Sequence, residues 1–416
     1  MSVEAVLPGA GRGEIRSLTG LRLIAAGWVV AHHFWLFAPD HEWLRHVEPA
    51  RPLLESGWLG VDLFFLLSGF VLAHNYVDAL GPRPGLRATA GFYWARLSRI
   101  WPTWIVVLTV VLVGLSVERL VVGSSSPEAA APGIDAVTLL RQVLLVQVWD
   151  RADYSATGPV GPGWSLSAEW LAYLLFPAVV LVLYRLRHLP AGVLGALAVA
   201  AVLPFAYGCL ALGSHAWAWS WLLRLAGAFL AGTLVALFVR RIRVTAAVTG
   251  AASRVAVASA VLLVLVLWWA DGAGTAAGGV AVLCFPFLVA GLALGDRGLV
   301  RPLSAPAMVL GGRISFALYL VHMGVFATAW RLMDVVPALG GTSAAAVLLQ
   351  AGVVVLPLAA AWLLWRYVEE PARLWMRRIG PRATAVGAPA EPAAVRELAG
   401  VATGAVAAAP VRHAAA

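Results

Sequence analysis

Apolar residues run along this chain in blocks long enough to cross a bilayer, separated by short polar stretches that carry most of its arginines and acids. A first block follows Leu18, and further windows recur at roughly 58–78, 99–121, 164–187, 191–212, 217–239, 255–270, 276–295, 314–334 and 344–367. The pattern predicts an all-α, polytopic membrane protein of about ten transmembrane helices. The stretch LRLIAAGWVVAHHF, residues 21–34, breaks its own apolar run with Arg22, His32 and His33. Ionisable groups at that depth persist when they pair, line a wet cavity or do chemistry. On a helix, Arg22 and His33 fall within about 20° of one face, roughly 16 Å apart along the axis, while His32 points about 100° away.

The polar stretches alternate in charge. The loop from Asp40 to Glu55 is net acidic, the next holds Arg83, Arg87 and Arg96, the long loop at 123–163 is again acidic, and Arg185, Arg187 and His188 follow. Further on, Arg240, Arg241, Arg243 and Arg254 lie in one loop and Arg297, Arg301 and Arg313 in another, and Arg373, Arg377, Arg378 and Arg382 follow the last window. An arginine-rich loop at every second connection places both termini in the cytoplasm, in a multi-pass protein of the cell inner (plasma) membrane. The expected organisation is a cytoplasmic segment over 1–17, a transmembrane domain over 18–378 and a disordered cytoplasmic tail over 379–416, rich in Ala, Pro, Gly and Val. The first block is expected to stay as an anchor, since cleavage after it would discard Arg22 and His33. In the long loop, SSSPEAAAPG and YSATGPVGPG predict irregular polar structure able to act as an outer lid.

Composition sharpens this picture. The chain is 61% hydrophobic and 12% charged, far from the profile of a soluble domain. Its net charge of +9 comes from arginine alone, as no lysine occurs. Those arginines sit in short loops rather than on one polar face, so nucleic acid is not an expected partner. Arginine in place of lysine, with abundant Ala, Val and Gly, points to a GC-rich bacterial source. Cys209 and Cys284 lie inside apolar runs and are expected to be packed thiols. No metal site is expected.

Further polar clusters interrupt the apolar blocks. In FYWARLSRIWPTW, Arg96 and Arg99 share a face at i, i+3. Such a pair grips phosphates or marks the end of a span. In GPGWSLSAEWLAYLLFP, Ser165 and Glu169 lie at i, i+4 near the outer end of a helix. A carboxylate there can orient a histidine, hold an acceptor or pair with an arginine, for which Arg224 is the candidate. In GGRISFALYLVHM, Ser315, Tyr319 and His322 form one polar stripe, with His322 near the midplane. GWLGVDLFFLLSGFVLAHNY holds Asp62, Ser68 and glycines expected to let helices approach closely.

Taken in order, these clusters resemble the acyltransferase 3 family of integral membrane O-acyltransferases, over about residues 20–375. The motifs are the Arg22-to-His33 spacing within SLTGLRLIAAGWVVAHHF, then GVDLFFLLSGFVL, FYWARLSRIWP, WSLSAEW, ISFALYLVH and the closing YVEEPAR, where Glu369 takes the acidic position before proline. The resemblance implies about ten helices, acyl-CoA as co-substrate on the cytoplasmic side with no permanently bound cofactor, and O-acylation of a hydroxyl on a glycan or glycosylated small molecule. Acetyl is the default group. It further implies that His33 is essential and that Arg22, Arg96 and Arg99 serve the donor. Many members carry an acidic residue where this chain has Thr19, so no role is carried over for that position. The separate domain that some members attach is not expected. Together with the residues, this gives a catalytic set of His33 and Glu169, donor contacts at Arg22, Arg96 and Arg99, and supporting roles for Ser165, Tyr319, His322, Arg224 and Glu369. His33 acts as general base or carries the acyl group transiently. The competing class is a transporter or flippase of a glycan or lipid-linked substrate, which would need a central path and inverted repeats.

Overall fold

The computed structural model describes residues 13–38, 42–122, 135–154, 157–340 and 343–381. Its long helices are α1 (Arg16–Phe37), α2 (Leu59–Leu80), α3 (Leu86–Val122), α4 (Ala136–Leu144), α5 (Gly163–Leu186), α6 (Ala191–Leu212), α7 (Ser220–Arg241), α8 (Ala246–Ala273), α9 (Phe285–Leu294), α10 (Pro306–Val335), α11 (Ala344–Leu364) and α12 (Glu370–Ile379). No strand occurs among the described residues. Ten helical stretches among them are long and apolar enough to cross a membrane. The chain is a multi-pass membrane protein. Each window read from hydropathy falls on one of these helices. The tail beyond Pro381 is not among the described residues, nor is the SSSPEAAAPG segment, so the disorder expected of the first lies outside them.

One boundary differs from the sequence reading, and one short helix is additional to it. Helix α3 begins at Leu86 and not near Arg99. Its first turns hold aromatic, small and basic residues that lower hydropathy but suit a helix, and Pro84 and Gly85 precede its start. Arg96 consequently lies three turns into the helix and is buried, rather than in the loop ahead of it as expected. Between the SSSPEAAAPG and YSATGPVGPG segments a short helix that hydropathy did not mark, α4, forms, capped by Asp135 accepting from the Thr138 amide. It is tied down rather than free. The indoles of Trp104 and Trp101 donate to the Gln142 and Val143 carbonyls, Trp149 donates to the Ser167 carbonyl, and Ser167 donates to that of Leu145.

Helix packing is set by small residues, as expected for membrane helices that lack a hydrophobic drive to associate. A Cβ at Gly69 would overlap the Phe229 carbonyl, and one at Gly232 would overlap the Leu66 carbonyl, so α2 and α7 meet backbone to backbone. Gly312 meets the Thr19 carbonyl in the same way, which brings α1 against α10. Both cysteines are buried and free.

The α2–α7 contact buries an ion pair. Arg224 donates from Nε to Asp62 Oδ1 at 3.0 Å and from a terminal nitrogen to Oδ2 at 2.8 Å, and also to the Trp58 carbonyl at 3.0 Å. The rings of Trp58, Trp164 and Phe205 stand 5.1 to 5.6 Å from its guanidinium carbon. This corrects the partner expected from the sequence: Arg224 pairs with Asp62, not Glu169. The glycine contacts put α2 and its carboxylate beside α7, whereas Glu169 is taken up by Tyr173 one turn along its own helix.

In the connection between α6 and α7, His215 stacks on Trp58 with ring centroids 4.4 Å apart. Burial, together with Arg224 and His32, lowers the pKa of His215 to about 4.

Two outcomes follow from this packing. Arg224→Ala leaves the Asp62 carboxylate buried without a partner and should destabilise the protein by about 3–5 kcal/mol, whereas Asp62→Leu/Arg224→Leu should recover most of that loss, read as thermal unfolding in detergent. The unfolded chain protonates His215 near the ordinary value and the folded chain only near pH 4. Stability should therefore be full above about pH 6.5 and fall as pH drops towards 4. His215→Phe should shrink that fall in melting temperature between pH 7 and pH 5.

Candidate active site

Helix α1 sets both ends of the site. Its 22 residues keep Arg22 and His33 on one stripe, as the spacing predicts, and the Gly312 contact holds that stripe against α10. There His33 Nδ1 meets His322 Nε2 at 2.9 Å, with ring centroids 5.0 Å apart. The other ring nitrogen of His322, Nδ1, lies 3.3 Å from the Leu318 carbonyl one turn back. His322 is fully buried; His33 is only partly so. His32 turns away, with Nδ1 2.8 Å from the Leu54 carbonyl, which separates it from this pair as the helical angle requires.

A continuous line of rings and polar groups leads from the histidines towards Arg22. Tyr319 stands one turn before His322 with ring centroids 5.9 Å apart, and its hydroxyl meets Ser165 Oγ at 2.6 Å. Both hydroxyls also face the Pro162 carbonyl just before α5. Beyond Tyr319 comes the Phe64 ring, 6.0 Å between centroids, and Arg22 lies over Phe64 at 5.3 Å. Thus α1, α2, α5 and α10 each supply one wall, and residues nearly 300 positions apart in the chain share one site.

Around Arg22 the site turns basic. Arg96 donates to the Tyr76 hydroxyl at 3.3 Å and its guanidinium lies between the Tyr76 and Tyr173 rings. The Tyr173 hydroxyl donates to Glu169 and accepts from Ser68. Arg22 is within electrostatic reach of Arg99, Glu169 and Glu369, and Glu369 is within reach of Arg373 as well. Glu369 is buried at the end of α11, where the last turn widens into a π-helix over Trp365–Glu369. Such a bulge re-aims side chains at functional sites. Helix α12 is secured to α3 by the Trp94 indole donating to the Met376 carbonyl, and Arg373 pairs with Glu370. Arg22 Nε, Arg96 Nε and Glu369 Oε2 are buried and make no hydrogen bond among the described residues. Buried polar atoms of that kind call for a partner, which water or a polar ligand can supply.

The structure thus joins His33, His322, Tyr319 and Ser165 at one end and Arg22, Arg96, Arg99, Glu169 and Glu369 at the other. Glu169 does not bond either imidazole among the described residues; His322 takes the position beside His33 that the sequence left open to it. Arg224 belongs to the separate bridge with Asp62. Sequence reasoning missed Phe64, Tyr76 and Tyr173. Tyr173 had a readable signal, falling at i+4 from Glu169 and i+8 from Ser165 on one helical face. Phe64 and Tyr76 carry none, being single aromatics in apolar surroundings.

Comparison with known proteins gives the family. The family model described as an acyltransferase domain matches residues 15–366, which takes in every residue of the site apart from Glu369. The acyltransferase MdmB of Streptomyces mycarofaciens is 29% identical over 399 residues, covering 89% of this chain and 95% of the relative. Protein 2 in the picA locus of Rhizobium radiobacter is 31% identical over 158 residues, or 36% of this chain and 75% of the relative. No solved structure matches. With the family model spanning nearly the whole membrane domain, the chain belongs to the acyltransferase 3 family and is an acyltransferase.

Proposed function

We propose that this acyltransferase moves a short acyl group, acetyl by default, from acyl-CoA to a hydroxyl of a glycan or sugar-bearing metabolite, with His33 as general base. The reading rests on one observation above all: a hydrogen-bonded imidazole pair within the membrane span, joined by a line of polar and aromatic groups to a cluster of incompletely bonded arginines. An anionic, phosphorylated donor suits the arginine end. Guanidinium forks bind phosphate oxygens bidentately, and Arg22 and Arg96 each keep an unused buried Nε for such a partner. Arg99 adds a third charge. In this scheme the membrane domain over 18–378 carries the whole reaction. The arginine-rich connections, and with them the donor and both termini, lie on the cytoplasmic side of the plasma membrane.

The hydrogen bonds support one set of proton positions at the histidine end. A carbonyl oxygen only accepts, so His322 Nδ1, facing the Leu318 carbonyl, carries the hydrogen. His322 Nε2 is then a lone pair, and His33 Nδ1 must donate to it. His33 is left with a bare Nε2. In the reaction the acceptor hydroxyl gives its proton to this Nε2 as its oxygen attacks the thioester carbonyl, and His322 supports the imidazolium that forms by accepting from its Nδ1–H. Collapse of the tetrahedral adduct breaks the C–S bond, and the CoA thiolate leaves with that proton. Direct transfer of this kind needs no acyl-histidine. Tyr319 and Ser165 hold the wall beside His322, while Glu169 and Glu369 space the arginines that would otherwise repel each other.

Substitution separates these roles. His33→Ala should lower acyl transfer by about 10²–10⁴-fold while the protein stays folded in the membrane, and near wild-type turnover would overturn the proposal. At position 322 the prediction is finer. His322→Gln places an acceptor oxygen where Nε2 stood and should keep most of kcat, whereas His322→Leu should lose about a hundredfold in kcat with little change in KM for acyl-CoA. Equal activity in the two variants would remove His322 from the mechanism.

A further inference from the structure

A second group of arginines gathers where α5 and α7 end, on the opposite side of α2 from Arg96. Arg187, His188, Leu237, Arg240 and Arg241 line a cavity of about 220 Å³ there. Its guanidiniums are held in place. Arg240 donates to Asp78 Oδ2 at 2.6 Å and to the His74 carbonyl at 3.2 Å. Arg187 lies flat over the Tyr184 ring at 3.4 Å, donates from Nε to His188 Nε2 at 3.1 Å and stands 3.7 Å from Asp78 Oδ1. Arg241 reaches the His188 carbonyl at 3.4 Å. Two of the three guanidiniums share the Asp78 carboxylate and Arg241 pairs with no acid among the described residues, an excess of two positive charges around one cavity. Arginines that merely reach up from a span into water are long and mobile. These are tied to a carboxylate, to an imidazole, to a ring and to main-chain carbonyls, with N–H groups left over.

The position of this cavity selects its ligand. The membrane-length helices α5 and α7 close at Leu186 and Arg241, so the arginines stand where a bilayer's headgroup phosphates lie. His74 and Asp78 sit one turn apart on the face of α2 turned to these arginines, while Tyr76, which binds Arg96, projects about 200° from either. Helix α2 thus stands between the two basic groups. The negative ends of the α5 and α7 dipoles also point here, and the arginines must offset them as well as any ligand. A phosphate ester carrying a full negative charge fits such a surplus better than a zwitterionic headgroup, whose ammonium would be repelled.

We propose that this cavity binds the phosphate of an anionic membrane phospholipid and anchors α2, α5 and α7 to the bilayer surface, independently of the acyl-transfer site. The full chain, purified in neutral detergent, would be titrated with short-chain phosphatidylglycerol, with phosphatidylcholine of equal chain length and with adenosine 3′,5′-bisphosphate, reading Tm. Phosphatidylglycerol should raise Tm saturably and phosphatidylcholine should not. Arg240→Gln/Arg241→Gln should weaken half-saturation about tenfold or more, with lipid-free acyl transfer unchanged. Arg241→Gln alone, which removes no ion pair, should weaken it in the same direction if the double variant fails to fold. Equal half-saturation in the variants, or an equal response to phosphatidylcholine, would overturn the proposal. So would competition between the bisphosphate and phosphatidylglycerol, which would make the cavity part of donor recognition instead.

Discussion

The contact on which the rest depends is the hydrogen bond between two imidazoles, His33 on α1 and His322 on α10. Within an apolar span, a lone imidazole has few partners and no fixed orientation. Two of them satisfy one another, and the other ring nitrogen of His322 faces the Leu318 carbonyl. The pairing needs α1 and α10 to meet closely, which Gly312 permits by letting the Thr19 carbonyl occupy the space of a side chain. A larger residue at that position would separate the helices and leave two polar rings unbonded in hydrocarbon.

The remaining walls of the site are held by interactions of another kind. Helix α2, which carries Phe64 and Tyr76 into the site, is locked to α7 by reciprocal glycine contacts and by the Asp62–Arg224 pair. That pair is wholly buried, so its value lies in geometry more than in net stability. Helix α5 is braced by the connection that follows α4, through Ser167 and the Trp149 indole, and α4 is in turn tied to α3 by the indoles of Trp101 and Trp104. The arginine end has the opposite character. Atoms of Arg22, Arg96 and Glu369 lie buried without hydrogen bonds among the described residues, which costs stability unless a partner satisfies them.

Much of this was legible in the chain. Membrane-length apolar blocks gave the spans, because a bilayer fixes the minimum length of a helix that crosses it. The stripes Arg22–His33 and Ser315–Tyr319–His322 followed from 3.6-residue periodicity. What stayed hidden was tertiary. The sequence held Asp62 and Glu169 as two buried acids and Arg224 as one buried base, and only helix packing decides which acid is near. Hydropathy windows find the apolar middle of a helix, not its ends, so the start of α3 at Leu86, the burial of Arg96 and the short helix α4 were missed. The π-turn that directs Glu369 inward has no local signature, and the two basic groups on either side of α2 read in sequence as the same topogenic signal.

The pairing of His33 with His322 makes a claim about a single proton, and nitrogen-15 NMR of the full chain labelled at histidine, with His33 assigned by its substitution, tests it directly. The account requires His33 to be neutral at pH 7 with its hydrogen on Nδ1 and a bare Nε2, and to lose that preference in His322→Leu. A His33 protonated at Nε2, or a tautomer indifferent to residue 322, would contradict it.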